Sequence, residues 1–310
     1  MNIAILIATY NGSRFINEQI DSILKDEDYS TISKIIVTDD GSLDDTVELI
    51  RKYNDIIVVN NLSQDKGPAS NFVSGLDYCK DMDYVFFCDQ DDIWFKNKIS
   101  TFLKHIKYLD DNFPGVIYSD LKLVDTFGCD LGKTFFENES IPCDWGVNVN
   151  NLFLQNCAPG CAMMINRKAI GRVLDTYSKN VVMHDWWVIL FASLYKNVIA
   201  IEDCTISYRQ HENNAVGASR KVTLRNIPIL YSKSKSNLSK VIFQISYFYS
   251  SLSQAELALL STKQKMLLDI LSRLSVDSSF LLRCKLFFYP GKFKSSFIRD
   301  FFTRVYFLFF

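Results

Sequence analysis

The 310-residue chain contains no G-x-G triplet and no Walker A loop, so neither the dinucleotide fingerprint nor the P-loop is present. It also lacks any C-x-x-C pair. Its eight cysteines, at 79, 88, 129, 143, 157, 161, 204 and 284, are scattered, and several sit inside apolar runs. That pattern excludes a disulfide frame and a zinc ribbon and fits small buried thiols in a reducing compartment. No apolar run approaches the ~20 residues that span a bilayer. The start, Met1 to Ile7, has no basic residues ahead of its apolar stretch and turns polar at Thr9, so no secretory leader is expected there and the protein is placed in the cytoplasm. Net charge is nearly absent, at −1, yet its distribution is uneven. From Arg220 onward there are 15 Lys and Arg against 4 Asp and Glu, leaving 19 of the 34 basic and 31 of the 35 acidic residues before it. An acidic body with a basic tail points to contact with an anionic surface.

What the chain does have is an ordinary globular composition, 48% hydrophobic and 22% charged, long enough for a sizeable core. Its most informative stretch is Tyr84 to Trp94, an apolar run ending in Asp89-Gln90-Asp91-Asp92. Asp is a poor strand former, and three carboxylates this close repel unless something positive sits among them. One Asp would suffice to cap the following helix. Three suit a hard divalent cation, which binds through one or two carboxylates plus substrate phosphates. Upstream, Ile3 to Ala8, Lys34 to Thr38 and Ile56 to Asn60 read as strands, each followed by a stretch of helical period. Four strand–helix units in succession predict an α/β fold with a parallel, doubly wound sheet. Ligands of such sheets bind outside the carboxyl ends of the strands, where Thr9-Tyr10-Asn11, Asp39-Asp40 and Asp89-Gln90-Asp91 all fall. Carboxylates accept from base and ribose donors but repel phosphate unless a metal intervenes, so this edge suits a metal-bound nucleoside diphosphate.

Three motifs, Ile7-Ala8-Thr9-Tyr10-Asn11-Gly12, Val37-Thr38-Asp39-Asp40-Gly41-Ser42-x-Asp44 and Cys88-Asp89-Gln90-Asp91-Asp92-Ile93-Trp94, resemble the family-two glycosyltransferases of GT-A fold over about residues 1 to 215. The resemblance implies a Rossmann-like, mostly parallel sheet flanked by helices. It implies a nucleotide-sugar half at 1–115 and an acceptor half at 116–219; the turn to basic composition and helical period beyond Ser219 marks 220–310 as a separate helical extension. Asp40 would hold the base, Asp89 would lie near the ribose, Asp91 would bind Mn2+ or Mg2+, and Asp92 would be a supporting or alternative ligand. Thr9, Tyr10 and Asn11 belong to the same nucleotide-sugar edge.

The middle of the chain predicts strands at Val116 to Ser119 and Cys161 to Ile165, with an irregular, substrate-shaping loop from Thr126 to Val149. Asp185, before Trp186 and Trp187, resembles the family's catalytic position. A carboxylate walled by aromatics is where a pKa is raised toward a base's working range, and an indole offers a face for a sugar ring. Read as packing alone, Asp185 caps a helix and both indoles are core. Ser207-Tyr208-Arg209-Gln210-His211-x-x-Asn214 resembles the segment that closes over the diphosphate, with Arg209 on phosphate and His211 on the metal. Read plainly, it is a strand exit.

Two helices are expected beyond Ser219, near Leu238 to Leu252 and from the capping box Ser253-x-x-Glu256 to Leu274. The last stretch places Phe297, Ile298, Phe301, Phe302, Val305, Leu308 and Phe309 on one helical face with basic residues beside it. It reads as a helix lying in a membrane interface, on the cytoplasmic face of the inner membrane, or as one docked on the catalytic domain or a second copy. The function expected is inverting transfer of glucose or galactose from a UDP-sugar to a polyprenyl-diphosphate-linked saccharide, as in O-antigen-type surface polysaccharide, with no nucleic acid partner. A dTDP-rhamnose donor is the alternative within the class. A nucleotidyltransferase and a non-catalytic glycan- or lipid-binding module are the rivals outside it.

Overall fold

A computed structural model of the chain describes residues 1–211, 227–274 and 278–309. Its first half alternates β1 (Ile3–Thr9), α1 (Ile16–Leu24), β2 (Lys34–Asp39), α2 (Thr46–Ile50), β3 (Ile56–Asn60), α3 (Pro68–Leu76) and β4 (Tyr84–Cys88). These strands pair in parallel in the order β3-β2-β1-β4. They read as continuous apolar runs because both faces of the sheet are covered. Alternate residues divide between two cores: Ala4, Leu6, Val85 and Phe87 enter one, while Ile3, Ile5, Ile7, Phe86 and Cys88 enter the other.

The second half contributes β5 (Ile93–Trp94), α4 (Lys98–Ile106), β6 (Val116–Val124), β7 (Asp130–Thr134), α5 (Phe135–Glu139), α6 (Val149–Leu152), β8 (Met163–Asn166), α7 (Arg167–Thr176), α8 (His184–Leu194) and β9 (Val198–Arg209). The sheet continues past β4 as β8-β6-β9-β5, with β7 on β6. β8 runs antiparallel to both β4 and β6, whereas β6 and β9 are parallel. The purely parallel sheet expected of the strand–helix rhythm therefore holds only for the first four strands. β6 also extends past Asp120 to Val124, and the expected strand at Cys161 begins at Met163, after a single turn at Gly160–Ala162. Part of the segment expected to be irregular is ordered: Thr134 and Glu137 form a reciprocal capping box that starts α5.

The C-terminal helices are α9 (Ile227–Ser251), α10 (Gln254–Leu259), α11 (Thr262–Ser272), α12 (Phe280–Phe287) and α13 (Phe297–Leu308). The capping box at Ser253 and Glu256 is present, but the helix it opens ends at Leu259 and a second box, Ser261 with Gln264, starts the next. Leu238, Ile242, Ile245 and Phe248 of α9 lie on one helical face and are buried in the same core as β1 and β4. Trp187 of α8 stacks on Tyr247 at 5.4 Å, with Phe248 edge-on at 6.0 Å. Each such buried side chain stabilises the joint by about 1.5–3 kcal/mol, so the described part of the tail is built into the catalytic body rather than appended to it. The expected boundary at 219/220 lies outside the described residues. No helix among the described residues is long and apolar enough to cross a membrane.

Candidate active site

A cavity of about 770 Å³ opens at the carboxyl ends of β1, β2 and β4. Gln90 fixes its floor: its side-chain amide accepts from Tyr10 N–H at 2.9 Å and donates to Tyr10 C=O at 3.1 Å, binding the β1 exit to the β4 exit. Gly12 leaves room for that amide, since a Cβ there would lie 2.2 Å from Gln90 Oε1 and would have to displace it. The two aspartates ending β2 have different tasks. Asp39 turns inward and accepts from Thr9 Oγ1, Ser42 Oγ and the Gly41 and Ser42 amides. Asp40 lines the cavity, accepting from Gly67 N–H at 2.7 Å and Asn61 Nδ2 at 2.8 Å, with Lys66 Nζ at 3.5 Å.

Of the three carboxylates after β4, Asp89 and Asp91 line the cavity and Asp92 turns away into the interior. Burial, then the neighbouring Asp91, push the Asp89 carboxyl above its usual range. Asp92 Oδ1 accepts from Arg209 N–H at 3.2 Å, while its buried Oδ2 has no partner. Behind them Lys98 is wholly buried, its ammonium 4.1 Å from the Trp94 ring and donating to Cys161 C=O at 2.7 Å. Burial lowers its pKa to about 8.

Two sets of candidate ligand atoms lie near the β4 exit. Asp91 Oδ2 and His211 Nε2 lie 2.8 Å apart at the cavity edge, each side chain about one-seventh exposed. Carboxylate and Cys161 oxygen and sulfur atoms of Asp89, Asp92 and Cys161 lie within 4.8 Å of one another, two of the three residues being buried. The first pair fits a hard cation that keeps room for phosphate oxygens. The second offers a thiol held protonated by burial and a lysine alongside, both unfavourable to Mg2+ or Mn2+. A cation held by Asp91 and His211 would supply positive charge for a departing diphosphate.

Asp185 opens α8 and lies in the same cavity, 5% exposed. Its Oδ1 accepts from Asn156 Nδ2 at 3.0 Å and from the Trp186 amide, and its Oδ2 from Gly160 N–H at 3.0 Å. Burial raises its pKa to about 6 against the opposing pull of these bonds. Gly160 is needed because a Cβ would press on His184 Nε2 at 2.7 Å. The cap reading fails, since Met183 is the N-cap of α8 and no side chain caps the helix; Asp185 is its second residue and faces the cavity instead.

The indoles correct an expectation. Neither Trp186 nor Trp187 lines the cavity: Trp186 Nε1 donates to Leu152 C=O at 2.7 Å, Trp187 Nε1 to Thr176 Oγ1 at 3.1 Å, and both rings are buried in the core. They exclude water from α8 but present no face to a sugar. Arg209 is also displaced from its expected task. Its guanidinium donates to Glu18 at 2.7 Å, Asp91 C=O at 2.9 Å and Thr126 C=O at 3.0 Å, and it stacks on Phe15. It braces the Asp91 backbone, with His211 stacked on the same Phe15 at 5.5 Å. Asn11, with φ 49°, bonds to the Ser42–Leu43 turn and shapes the rim from outside the cavity. Asn214 lies outside the described residues.

Residues 4–172 match the family model described as glycosyl transferase family 2. The chain belongs to that family. As a family-two glycosyltransferase it is an enzyme of sugar transfer, which removes the nucleotidyltransferase and binding-module readings. It is 28% identical over 228 residues to the dTDP-rhamnosyl transferase RfbG of Shigella flexneri, covering 69% of this chain and 74% of that one. It is 24% identical over 251 residues, 79% of this chain and 91% of the other, to the UDP-Glc:alpha-D-GlcNAc-diphosphoundecaprenol beta-1,3-glucosyltransferase WfgD of Escherichia coli. Among solved structures, S. aureus TarS (residues 1–349), crystallised with UDP-GlcNAc, superposes with a TM-score of 0.57 at 18% identity, over 88% of this chain and 70% of that one. The family's GT-A architecture is therefore the fold of this chain.

Sequence reasoning missed Asn156, Gln155 and Lys66, which line the cavity, and His184, whose ring stacks on Phe72 at 4.0 Å with both nitrogens buried and unpartnered. Burial holds that imidazole neutral, lowering its pKa to about 3. His184 adjoins Asp185 in sequence, so the signal was there to be read.

Proposed function

We propose that the protein is an inverting, metal-dependent glycosyltransferase that moves a hexose from a UDP-sugar to a lipid-linked diphosphate saccharide during bacterial surface-polysaccharide assembly. The observation that carries this reading is the placement of Asp185, buried and held by Asn156 and Gly160, in one cavity with Asp40, Asp89 and Asp91. A base facing an acceptor hydroxyl across a nucleotide-sugar edge suits a single displacement at the anomeric carbon. Asp40 accepts from the pyrimidine N–H, Asp89 from the ribose, and Thr9 and Tyr10 close the edge. Asp91 and His211 hold Mn2+ or Mg2+, with Arg209 keeping the Asp91 backbone in place.

The acceptor and the pathway are supported by the name of WfgD, whose acceptor is a diphosphoundecaprenol-linked sugar. The name of RfbG favours a second donor, dTDP-rhamnose, and its thymine offers Asp40 the same N–H as uracil. Work at a membrane surface is supported by α13, whose Phe297, Ile298, Phe301 and Phe302 are about half or more exposed while Asp300, Thr303 and Phe307 face the protein. The helix is thus docked by its more polar face and presents its apolar one outward. The deciding experiment incubates the protein with manganese, a soluble alkyl-diphosphate N-acetylglucosamine and a panel of nucleotide sugars, and measures released nucleoside diphosphate. Release from UDP-glucose or UDP-galactose is expected; release from dTDP-rhamnose alone moves the donor, and none from any donor overturns the acceptor.

A further inference from the structure

The C-terminal helix does more than expose phenylalanines. Arg299 lies on α13 at the border between its outward apolar face and its buried face, with 39% of its side chain exposed, and its guanidinium enters the catalytic cavity. There it donates to Glu139 Oε2 at 2.8 Å, a residue that closes α5 and lines the same cavity. The segment before α13 is fastened close by. Ser295 N–H donates to Gln155 Oε1 at 2.8 Å, Gln155 Nε2 donates to Ser295 Oγ at 3.0 Å, and the Lys294 ammonium donates to Leu154 C=O. The next residue, Asn156, holds Asp185. A short bonded path thus joins the base of this helix to the carboxylate that faces the acceptor.

Charge narrows what this arrangement receives. Asp40, Asp89, Asp91, Glu139 and Asp185 line the cavity, and the lysines and arginines lining it are Lys66 and Arg299 alone among the described residues. Lys66 sits 3.5 Å from Asp40, at the nucleotide end. Arg299 is the other, paired with Glu139 on a helix that begins with the exposed Phe297 and Ile298. A planar guanidinium reads phosphate through two parallel N–H bonds, and at the foot of an apolar helix face it stands at headgroup depth.

We propose that Arg299 binds the diphosphate of the lipid-linked acceptor, so that the helix which rests on the bilayer also seats the acceptor in the cavity. This rests on the proposed transfer to a diphosphate-linked saccharide. Glu139 holds the guanidinium in position until the acceptor arrives.

The test is direct binding, measured by calorimetry on the full chain with UDP and manganese present. The probes are a soluble alkyl-diphosphate N-acetylglucosamine and the neutral alkyl glycoside of the same sugar. Wild type should prefer the diphosphate probe, and Arg299→Gln should weaken it about 10- to 100-fold, the scale of a charge-assisted pair, while moving the neutral probe less than twofold. Arg299→Lys should recover part of the loss. Glu139→Gln breaks the same ion pair but keeps the guanidinium, so its diphosphate affinity should hold or rise. Equal losses on both probes, or a loss in Glu139→Gln matching that in Arg299→Gln, would make the pair structural and overturn the proposal. So would weakened binding to anionic vesicles with the soluble diphosphate unaffected, because Arg299 would then read bulk headgroups. Arg299-dependent binding without transfer from any donor would leave this inference standing and count against the proposed reaction.

Discussion

Asn156 and Asp185, 29 residues apart in the chain, are joined by a hydrogen bond of 3.0 Å from Nδ2 to Oδ1. The asparagine amide nitrogen only donates, so it orients the carboxylate without itself taking up a proton. Asp185→Asn should lower transfer by about 10²–10⁴-fold while UDP binding in the absence of acceptor stays near wild type. The new amide would also face a donor, Asn156 or Gly160, costing about 1–3 kcal/mol of stability. Activity must therefore be normalised to folded protein by a melting curve. Near-normal turnover in the folded fraction would remove Asp185 from the mechanism. Asp89, which lines the cavity, would then be the residue to examine, because Asp92 turns away from the cavity and Asp120 is committed to the Leu121 and Phe136 amides.

The same carboxylate sets a pH profile. With its pKa raised to about 6, Asp185 is protonated and inactive as a base below that value, so kcat/KM should fall about tenfold per pH unit beneath pH 6 and level off above it. An exposed aspartate would keep the rate flat down to about pH 4. Asn156→Ala removes one bond to the ionised form, and its profile should shift to higher pH. A profile that does not move would show that the bond does not favour the charged form.

Chelator should abolish transfer, and Mn2+ or Mg2+ should restore it. Asp91→Asn and His211→Ala should each weaken the metal requirement's midpoint by at least tenfold, read from a metal titration. Asp92→Asn should act differently. Asp92 is 1% exposed and turned from the cavity, so its replacement should change stability more than metal affinity. Full activity in chelator, or the same midpoint in all three variants, would count against the Asp91–His211 site.

Replacing Phe297, Phe301 and Phe302 together by Ser should release the protein from anionic vesicles while leaving its melting temperature and its turnover of a soluble acceptor largely unchanged. These rings are about half or more exposed, so little buried area is lost. Deleting α13 outright is a poorer test. It removes Phe307, buried against Phe293, and the Arg304 bonds to Asp300 and to the Phe287 and Tyr289 carbonyls, and so should destabilise the body.

Much of the first half was legible because its signals are local. The strands β1 to β4 and their turn motifs, and further along the chain the capping box at Ser253, are set by neighbours within a few residues, and local sequence pattern reports those directly. Asp185 drew notice because an acid beside two indoles is unusual in any setting, and the structure puts it in the cavity wall. What escaped depends on chain segments that meet only after folding. Nothing near Asn156 announces that it bonds Asp185, and nothing near Arg299 announces Glu139, 160 residues away. Trp186 and Trp187 misled for the converse reason: composition marks aromatic residues as candidates for sugar contact, but helix rotation decides which way they face, and here both go to the core. The antiparallel placement of β8 was hidden too, because a short buried strand has the same apolar look in either direction.

That placement bears on how the protein is made. Growing from its N-terminus, the chain has all four parallel strands once Cys88 is out, but the open side of β4 waits for Met163–Asn166 to arrive. Until then a row of unpaired amides flanked by Tyr84, Val85 and Phe86 is offered to any other nascent chain nearby. Soluble yield is consequently a race between one distant segment of the same molecule and the edges of its neighbours. Cooler growth and slower induction should favour the former, and fragments that stop short of β8 should collect in inclusion bodies.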